Sequence, residues 1–417
     1  MIPPKSNAPP SQAEVEDLVR LVREGDVSRR RFLALVSAGA GAGALASCGV
    51  PAAEDGAGAE AAADEESSAR VWAKDPSPFI QHGTNLEARL EAQRGMLTPN
   101  DLFFVRSHGP TPVIDSATYR LNVQGDAVPS PAQLTLDELL ALPSRTVIAN
   151  VECAGNWRGF FPTTHGRAAT GSQWRTGGVG CAEWVGVPLA VVLEHAGISP
   201  DAAFVNLTGL DDAAFERPLP IEKALEQDTI LAYAMNGETL PPDHGYPVRA
   251  IVPGWVGSNS VKWVGQVTVS AEPIWTRTNT ASYVFVGDAW PAESYAPAGG
   301  APVTVQTIKS ALALPWPAEL PAGRHVIRGF AHSPHAPIAR VVWSQDGGTT
   351  WQDARIAGPA LPAAMTLFEF EWDAPPGEHA LLVRATDEAG NKQPDEVPFN
   401  ELGYLLNVPV PHPVRIA

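Results

Sequence analysis

The C-terminal third of the chain carries the pattern that most restricts its fold, because apolar residues recur there at every second position with almost no helix signal. The alternation covers residues 325–331, 338–344, 367–372 and 380–386. A Gln-Asp-Gly-Gly sequence at 345–348 lies where a hairpin turn is required. We therefore predict an antiparallel sandwich of immunoglobulin type over residues 299–417.

The preceding residues, 74–298, mix short apolar runs with helix signals, which predicts an α+β domain. Residues 145–152 indicate a buried strand that ends directly before Cys153 and a loop containing glycine. Thr135 is a predicted helix cap, followed by the acidic first turn that a helix dipole favours. Other predicted elements are strands at 119–123 and 230–235 and helices at 134–142 and 188–197.

Residues 1–47 form a predicted export signal, since a twin-arginine motif at 28–33 precedes an apolar run too short to span a membrane. Leu-Ala-Ser-Cys ends this run and is typical of bacterial lipoproteins, so Cys48 is the predicted lipidation site; an ordinary signal peptide is the alternative. Residues 48–73 have almost nothing to bury and are a predicted disordered tether. We expect a periplasmic or cell-surface protein that contacts the membrane only through the Cys48 lipid anchor.

The export route and the charge restrict the function. Because the twin-arginine system moves folded proteins, it indicates a cofactor inserted before export. A net charge of −17 argues against nucleic-acid binding, which needs a basic face. The chain has three cysteines, no C-x-x-C-H haem motif and no cysteine cluster for iron and sulfur, so each thiol needs its own explanation.

Four separated segments place cationic or hydrogen-bonding side chains beside glycine or at a strand end, as a buried anion requires. They are 103–108, 152–158, 243–249 and 257–263. A thiolate at Cys153 is a good ligand for a high-valent metal. Taken alone, the residues leave simpler interpretations open: Cys153 as a buried structural thiol and His244 as a turn residue. Arg106, Arg249 and Lys262 could equally be ordinary ion-paired surface residues.

In this order, the four segments resemble those of the sulfite oxidase family of molybdopterin enzymes. The resemblance runs from Thr98 to about Asn407 and also includes residues 174–177, 209–211, 231–237 and 344–351. It implies a sulfite-oxidase-type molybdopterin-binding domain over 74–298 and an immunoglobulin-like dimerisation domain over 299–417. It therefore implies a homodimer.

The same resemblance implies one pyranopterin dithiolene, whose molybdenum is also bound by the sulfur of Cys153. The cofactor-binding residues that it assigns are Phe104, Val105, Arg106, Ser107, His108, Cys153, Asp211, His244, Arg249, Ser260, Val261 and Lys262. Five of these would hold the phosphate tail: His108, His244, Arg249, Ser260 and Lys262. The implied substrate pocket consists of Arg106, Arg158, Trp174 and Tyr283, with Trp174 as a wall.

The sequence departs from the family pattern at three places. Trp157 stands where many relatives have a second arginine, and Ser107 replaces a frequent asparagine. The eukaryotic members bring an arginine from the second domain into the pocket, but the corresponding residues here, 364–368, contain none. A pocket with fewer charges is therefore expected.

The leading functional prediction is oxidation of sulfite to sulfate, with electrons passed to an external cytochrome c because the chain carries no electron-transfer motif of its own. The acidic net charge favours a basic acceptor. One alternative is a molybdopterin reductase of a sulfoxide, nitrate or another oxo compound. A second is a lipid-tethered, non-catalytic binding module. Cys181 is predicted to be a buried small residue and not a ligand.

Overall fold

The computed structural model describes residues 71–417, so the predicted signal, Cys48 and most of the predicted tether lie outside the described residues. The described chain begins with a mixed helical and stranded part and continues as a part built from strands. Within residues 71–417, no helix is long and apolar enough to cross a lipid bilayer.

The strands of the first part are β1 (Ile80–His82), β2 (Asn85–Glu87), β3 (Arg120–Gln124), β4 (Ala132–Thr135), β5 (Arg145–Glu152), β6 (Val179–Pro188), β7 (Phe204–Gly209), β8 (Glu216–Pro220), β9 (Ile230–Met235), β10 (Glu238–Thr239), β11 (Arg249–Ile251), β12 (Val264–Ser270), β13 (Val284–Phe285) and β14 (Ala301–Pro302). Its α-helices are α1 (Leu136–Ala141), α2 (Phe161–His165), α3 (Leu189–His195), α4 (Ile221–Ala224) and α5 (Arg277–Thr280). Short 3-10 helices cover Leu90–Ala92, Arg158–Phe160, Pro242–His244, Gly257–Asn259 and Ala292–Ser294.

Two five-stranded sheets organise this part, which confirms the α+β prediction. One has the order β10-β9-β6-β5 with β11 also paired to β9, and its pairs are antiparallel. The other has the order β4-β3-β12-β7-β8 and contains one parallel pair, β3 with β12. Apolar side chains from both sheets and from α3 share one core, so the loops at the sheet ends are held on a rigid base.

Helix α1 shows how local sequence sets an element. Thr135 Oγ1 accepts the Glu138 N–H at 3.2 Å, and the Glu138 carboxylate accepts the Thr135 N–H at 2.8 Å, a reciprocal capping box. The helix begins at Leu136 and not at the predicted Leu134. The reason is that Leu134 pairs with Leu121 between β4 and β3, so sheet pairing prevails over helix propensity there.

Strand β5 ends directly before Cys153 and determines where this residue lies. It covers the predicted residues, and seven of its eight residues are buried. It pairs with β6 up to Glu152, which lies opposite Val179. The chain leaves the sheet immediately afterwards, so Cys153 is presented at the strand end as predicted.

The second part is a strand sandwich, as its period-two pattern predicts. Its strands are β15 (Lys309–Leu312), β16 (Ala318–Leu320), β17 (Gly323–His332), β18 (Ile338–Ser344), β19 (Gln352–Ile356), β20 (Thr366–Ala374), β21 (Gly377–Asp387) and β22 (His412–Ile416). Their order is β15-β17-β20-β19-β18-β21-β22-β16, with β16 and β22 parallel. Side chains of β17 and β20 pack against those of β18 and β21 in one core, so the strands form two facing layers.

The predicted hairpin turn between β18 and β19 is closed by Asp346. Its carboxylate accepts the Thr350 hydroxyl at 2.6 Å and the Thr350 N–H at 2.9 Å, and these bonds lower the pKa of Asp346 to about 2. The turn therefore fixes the register of the hairpin.

Candidate active site

A partly open cleft brings residues from all four predicted segments together. It lies where β5 ends and β11 begins, and the loop before β12 closes one side. The lining residues are Phe103, Phe104, Val105, Arg106, Ser107, His108, Val151, Cys153, Ala154, Asp211, Phe215, Asp243, His244, Arg249, Gly257, Ser258, Ser260, Val261, Lys262, Trp263 and Tyr283. The twelve predicted cofactor-binding residues are all among them.

The loop that presents Cys153 is tightly constrained. The Cys153 N–H donates to the carbonyl of Gly178 at 2.8 Å, and the Cys153 carbonyl accepts the Asn156 N–H at 2.8 Å. Trp157, the next residue along the loop, has a left-handed backbone with φ 77°, which costs free energy in a bulky residue. A side chain at Gly155 would collide with the Arg158 guanidinium. The loop therefore holds the half-buried Cys153 in one orientation toward the cleft.

Arg249 forms a buried cationic floor and is 3% exposed. Its guanidinium donates to the carbonyls of His244 at 2.9 Å and Ser260 at 3.0 Å, and it lies over the Trp184 ring at 4.9 Å. Burial lowers its pKa to about 9, so the group remains charged at neutral pH. An arginine bonded to carbonyl oxygens and an aromatic face still attracts a bidentate anion.

Lys262 reaches the same cleft from the loop before β12. Its ammonium donates to the Ser107 hydroxyl at 2.6 Å and to the Asp243 carbonyl at 2.9 Å. Burial first, and then the charge of Arg249, hold the pKa of Lys262 well below its ordinary value. The cations Arg249 and Arg106 add to the effect of burial, whereas the carboxylates of Asp243 and Asp211 act against it.

His244 contacts Lys74, a residue that no sequence motif identified as part of the site. Lys74 places its Nζ 2.8 Å from Nε2 of His244 and also donates to the carbonyls of Asn100 at 2.7 Å and Phe103 at 2.9 Å. Burial lowers the pKa of Lys74 to about 7. Burial, and then the charges of Lys74, Arg249 and Lys262, lower the pKa of His244 well below 6.5, so its imidazole is neutral.

The depressed pKa of Lys74 predicts how the stability of cofactor-free protein depends on pH. Between about pH 7 and the unfolded value of 10.5, the unfolded chain binds a proton that the folded chain does not. The free energy of unfolding should therefore rise with pH in this window, by up to about 1.4 kcal/mol per unit from this group. Urea unfolding of the wild type and of Lys74→Met measures the difference. A wild-type advantage that stays constant or falls as pH rises would contradict the assignment.

Two predicted residues at the mouth of the cleft, His108 and Asp211, contact Phe215. The His108 ring stacks on Phe215 at 4.7 Å, and its Nε2 lies 3.0 Å from the Arg106 guanidinium. Burial, and then the charge of Arg106, lower the pKa of His108 to about 4. Asp211 accepts the Phe215 N–H at 3.0 Å, so its carboxylate closes a tight turn at the cleft edge.

Two serines, Ser258 and Ser260, also line the cleft. The Ser260 hydroxyl oxygen accepts the Val252 N–H at 3.1 Å, which leaves its own hydrogen free to donate. Ser258 was not among the predicted site residues. Its buried hydroxyl lines the cleft and has no hydrogen-bond partner within the described part of the chain. An unpaired buried hydroxyl is costly unless a ligand satisfies it.

Two of the four predicted substrate residues do not line the cleft. Trp174 is fully buried and packs edge-on against Phe104, so it supports the wall and does not form it. Arg158 is 7% exposed and donates to the carbonyls of Leu402 at 2.9 Å and Ser172 at 3.1 Å, one layer behind the cleft. The reason is tertiary packing: the C-terminal loop covers Arg158.

Arg106 and Tyr283 do line the cleft as predicted. The Tyr283 ring stacks on the Tyr404 ring at 5.5 Å, and the Arg217 guanidinium lies 4.9 Å from the centre of the Tyr283 ring. Arg158 lies 5.2 Å from the opposite Tyr404 ring. Sequence reasoning missed Arg217 and Tyr404, since neither belongs to a motif. The two stacked phenols thus lie between two arginines beside the cysteine loop.

The second part of the chain reaches this region through the loop that carries Tyr404. The Leu405 N–H donates to the carbonyl of Ala154 at 2.9 Å, which ties this loop to the cysteine loop. Residues 364–368 lie elsewhere: Met365 is buried in a different cluster and does not line the cleft. Residues 364–368 therefore supply no side chain to the cleft, and the second part approaches the cysteine loop through the segment that carries Tyr404.

The cleft fits an anionic cofactor attached through a thiolate. Three cationic side chains of the cleft form no salt bridge within 4.0 Å among residues 71–417: Arg106, Arg249 and Lys262. An anionic ligand could therefore bind to them. The unpaired hydroxyl of Ser258 and the sulfur of Cys153 face the same space. A phosphate-bearing group with a thiophilic metal would satisfy all of these atoms.

Two family descriptions match the chain. "Oxidoreductase molybdopterin binding domain" covers residues 108–277, and "Mo-co oxidoreductase dimerisation domain" covers residues 303–416. These matches agree with the fold class and cofactor that the sequence motifs imply.

Individual relatives give the same picture. Mitochondrial sulfite oxidase of Mus musculus is 34% identical over 333 residues, with 75% of this chain and 60% of the relative covered. Sulfite oxidase of Gallus gallus is 36% identical, with 74% and 70% covered. The crystal structure of sulfane dehydrogenase SoxCD from Paracoccus pantotrophus superimposes with a TM-score of 0.70 at 33% identity, over 78% of this chain and 82% of that one. The chain thus spans about 60% of the length of its mammalian relatives.

Proposed function

Because the chain belongs to the sulfite oxidase family of molybdopterin-dependent oxidoreductases, we propose that it oxidises sulfite to sulfate and passes the electrons to an external acceptor. One observation carries the proposal. Cys153 lines a cleft that also contains the buried side chains of Arg249 and Lys262, neither of which forms a salt bridge among the described residues. That arrangement binds an anionic metal cofactor and then a small anion beside it.

The cofactor residues have distinct tasks in this proposal. Cys153 would hold the molybdenum, while Arg249 and Lys262 would bind the phosphate tail, with neutral His244 and the Ser260 hydroxyl as further donors. When bound, the molybdenum cofactor supplies oxygen-atom transfer and accepts two electrons. The protein contributes fixed charges that need no reorganisation during the reaction.

The substrate side of the cleft has fewer groups than the sequence implied. Arg106 is half-buried and stands at the cleft mouth, where its guanidinium can bind a sulfite oxygen. The Tyr283 hydroxyl can donate a hydrogen bond to another oxygen, since its ring is fixed between Tyr404 and Arg217. Arg158 adds positive charge from behind the Tyr404 ring, without direct contact.

The cellular setting is also part of the proposal. The twin-arginine sequence and Cys48 support export and a lipid anchor at the periplasmic or cell surface. The net charge of −17 supports a basic cytochrome c as the electron acceptor. The match of residues 303–416 to a dimerisation domain supports a homodimer.

Steady-state kinetics test the reaction. Full-length protein loaded with molybdenum cofactor should reduce cytochrome c when sulfite is added, and it should not turn over methionine sulfoxide or nitrate with a reduced dye. Fast reduction of either oxo compound with no sulfite activity would replace the proposal with the reductase alternative. Native protein that contains no molybdenum by elemental analysis would favour the non-catalytic binding module.

A further inference from the structure

A buried ion pair joins the two parts of the chain directly behind Cys153. Glu152, the last residue of β5, and Lys309, the first residue of β15, have side chains that are 1% and 2% exposed. The Lys309 ammonium lies 2.7 Å from Oε1 of Glu152. His332 of β17 places Nε2 3.8 Å from the other carboxylate oxygen. The second part therefore contributes both the lysine and the histidine that face this carboxylate.

Stability alone does not explain this pair. Removing two charges from water costs about as much free energy as their attraction returns, and an apolar pair of similar volume is often equally stable or more so. The pairing is also incomplete, since Oε2 of Glu152 and Nδ1 of His332 have no hydrogen-bond partner among the described residues.

The ion pair continues into the cysteine loop through a chain of hydrogen bonds. Oε1 of Glu152 also accepts the Asn156 side-chain amide at 2.9 Å. The carbonyl oxygen of that amide accepts the Gly178 N–H at 3.0 Å, and the Gly178 carbonyl accepts the Cys153 N–H at 2.8 Å. Both hydrogen bonds of the Asn156 side chain are buried. Lys309 is thereby connected to the backbone of Cys153.

We propose that Lys309 is a positioning residue, which acts through Glu152 and Asn156 to set the direction in which Cys153 presents its sulfur to the cleft. The inference rests on the proposed function only in that Cys153 binds the metal. It gives the second part of the chain a role in the geometry of the site in addition to dimerisation. An ion pair suits this role because its geometry is directional, whereas an apolar contact leaves the carboxylate free to rotate.

The first test is Lys309→Met in full-length, cofactor-loaded protein, with Lys392→Met as the control. Lys392 is an exposed lysine of the same part. Lys309→Met should keep its molybdenum content, but the thiolate-to-molybdenum absorption band of the oxidised protein should shift. We expect kcat to fall about tenfold to a hundredfold with KM nearly unchanged, as for a small misplacement at a reacting centre. Lys392→Met should match the wild type in every measurement.

The second test separates positioning from simple charge compensation. Lys309→Met leaves a buried carboxylate unpaired and should lower the thermal midpoint, whereas the double variant Glu152→Gln/Lys309→Met removes both charges and should regain it. The absorption band should stay shifted in the double variant. A band at the wild-type position in either variant would overturn the proposal. The band is recorded without sulfite, so wild-type protein that shows the band but has no sulfite turnover would defeat the proposed function and not this inference.

Discussion

Cys153→Ser is expected to abolish sulfite turnover while the fold and the dimer remain intact. A free serine hydroxyl stays protonated at neutral pH and its oxygen is a hard donor, so it does not reproduce the soft, ionised sulfur that a thiolate gives to molybdenum. Loss of the proper metal site should remove about 4 kcal/mol or more of transition-state stabilisation, about a thousandfold in rate. The residue is half-buried and its backbone hydrogen bonds are independent of the side chain, so the loop should keep its shape. Cytochrome c reduction, circular dichroism and gel filtration measure the three outcomes.

Cys181→Ser provides the matched control within the same sheet. Cys181 is fully buried in β6, and burial raises the pKa of its thiol to about 12, so it is an uncharged core residue. This variant should keep normal turnover and lose about 1–3 kcal/mol of stability, because a hydroxyl replaces an apolar sulfur in the core. Retained turnover in Cys153→Ser would refute the ligand assignment. Lost turnover in a folded Cys181→Ser would show that loss of turnover after a cysteine-to-serine change does not identify a metal ligand.

Lys262→Met is expected to impair cofactor binding without unfolding the protein. Its ammonium is buried among other cations, and its pKa is held well below the ordinary value, so the cofactor-free cleft is electrostatically unfavourable. Losing a hydrogen bond to a charged phosphate should weaken cofactor binding by about 1.5–3 kcal/mol, roughly tenfold to a hundredfold. The molybdenum content per chain, measured by elemental analysis after dilution and gel filtration, should fall accordingly.

The stability of the cofactor-free Lys262→Met variant is the second part of this test. Its free energy of unfolding should lie within about 1 kcal/mol of that of the cofactor-free wild type. The variant loses two hydrogen bonds, but it no longer bears the cost of burying an ammonium group. Lys392→Met serves again as the control with normal molybdenum content. Lys262 is a structural residue and not a cofactor ligand if Lys262→Met keeps its full cofactor content. The same conclusion follows if its free energy of unfolding is several kcal/mol lower than that of the wild type.

Several features were predictable because they depend on neighbouring residues. Strand β5, the hairpin closed by Asp346 and the capping box at Thr135 follow from periodicity and turn chemistry over a few positions. The motif resemblance also brought the cofactor-binding residues together correctly in one cleft. Their roles remain predictions that the variants above test.

Other features were not predictable, because they join residues far apart in the chain. Lys74 lies 170 residues from His244, and Lys309 lies 157 residues from Glu152. No local pattern distinguishes these lysines from ordinary surface residues. Trp174 illustrates the opposite error, since a motif residue expected in the pocket packs in the core. Contacts of this kind depend on how the sheets and loops pack, which a single sequence does not display.

By itself, the sequence determined the two-part architecture, the strand end that carries Cys153 and the chemical character of the site. The first two follow from hydrophobic periodicity and local hydrogen bonding, and the third follows from the resemblance of the four motifs to those of the sulfite oxidase family. Only the tertiary structure decided which cations remain uncompensated, which aromatic residues enclose Tyr283, and that Lys309 supports the cysteine loop. The physical reason is that charge balance and burial are properties of packed neighbours, and those neighbours come from distant parts of the chain.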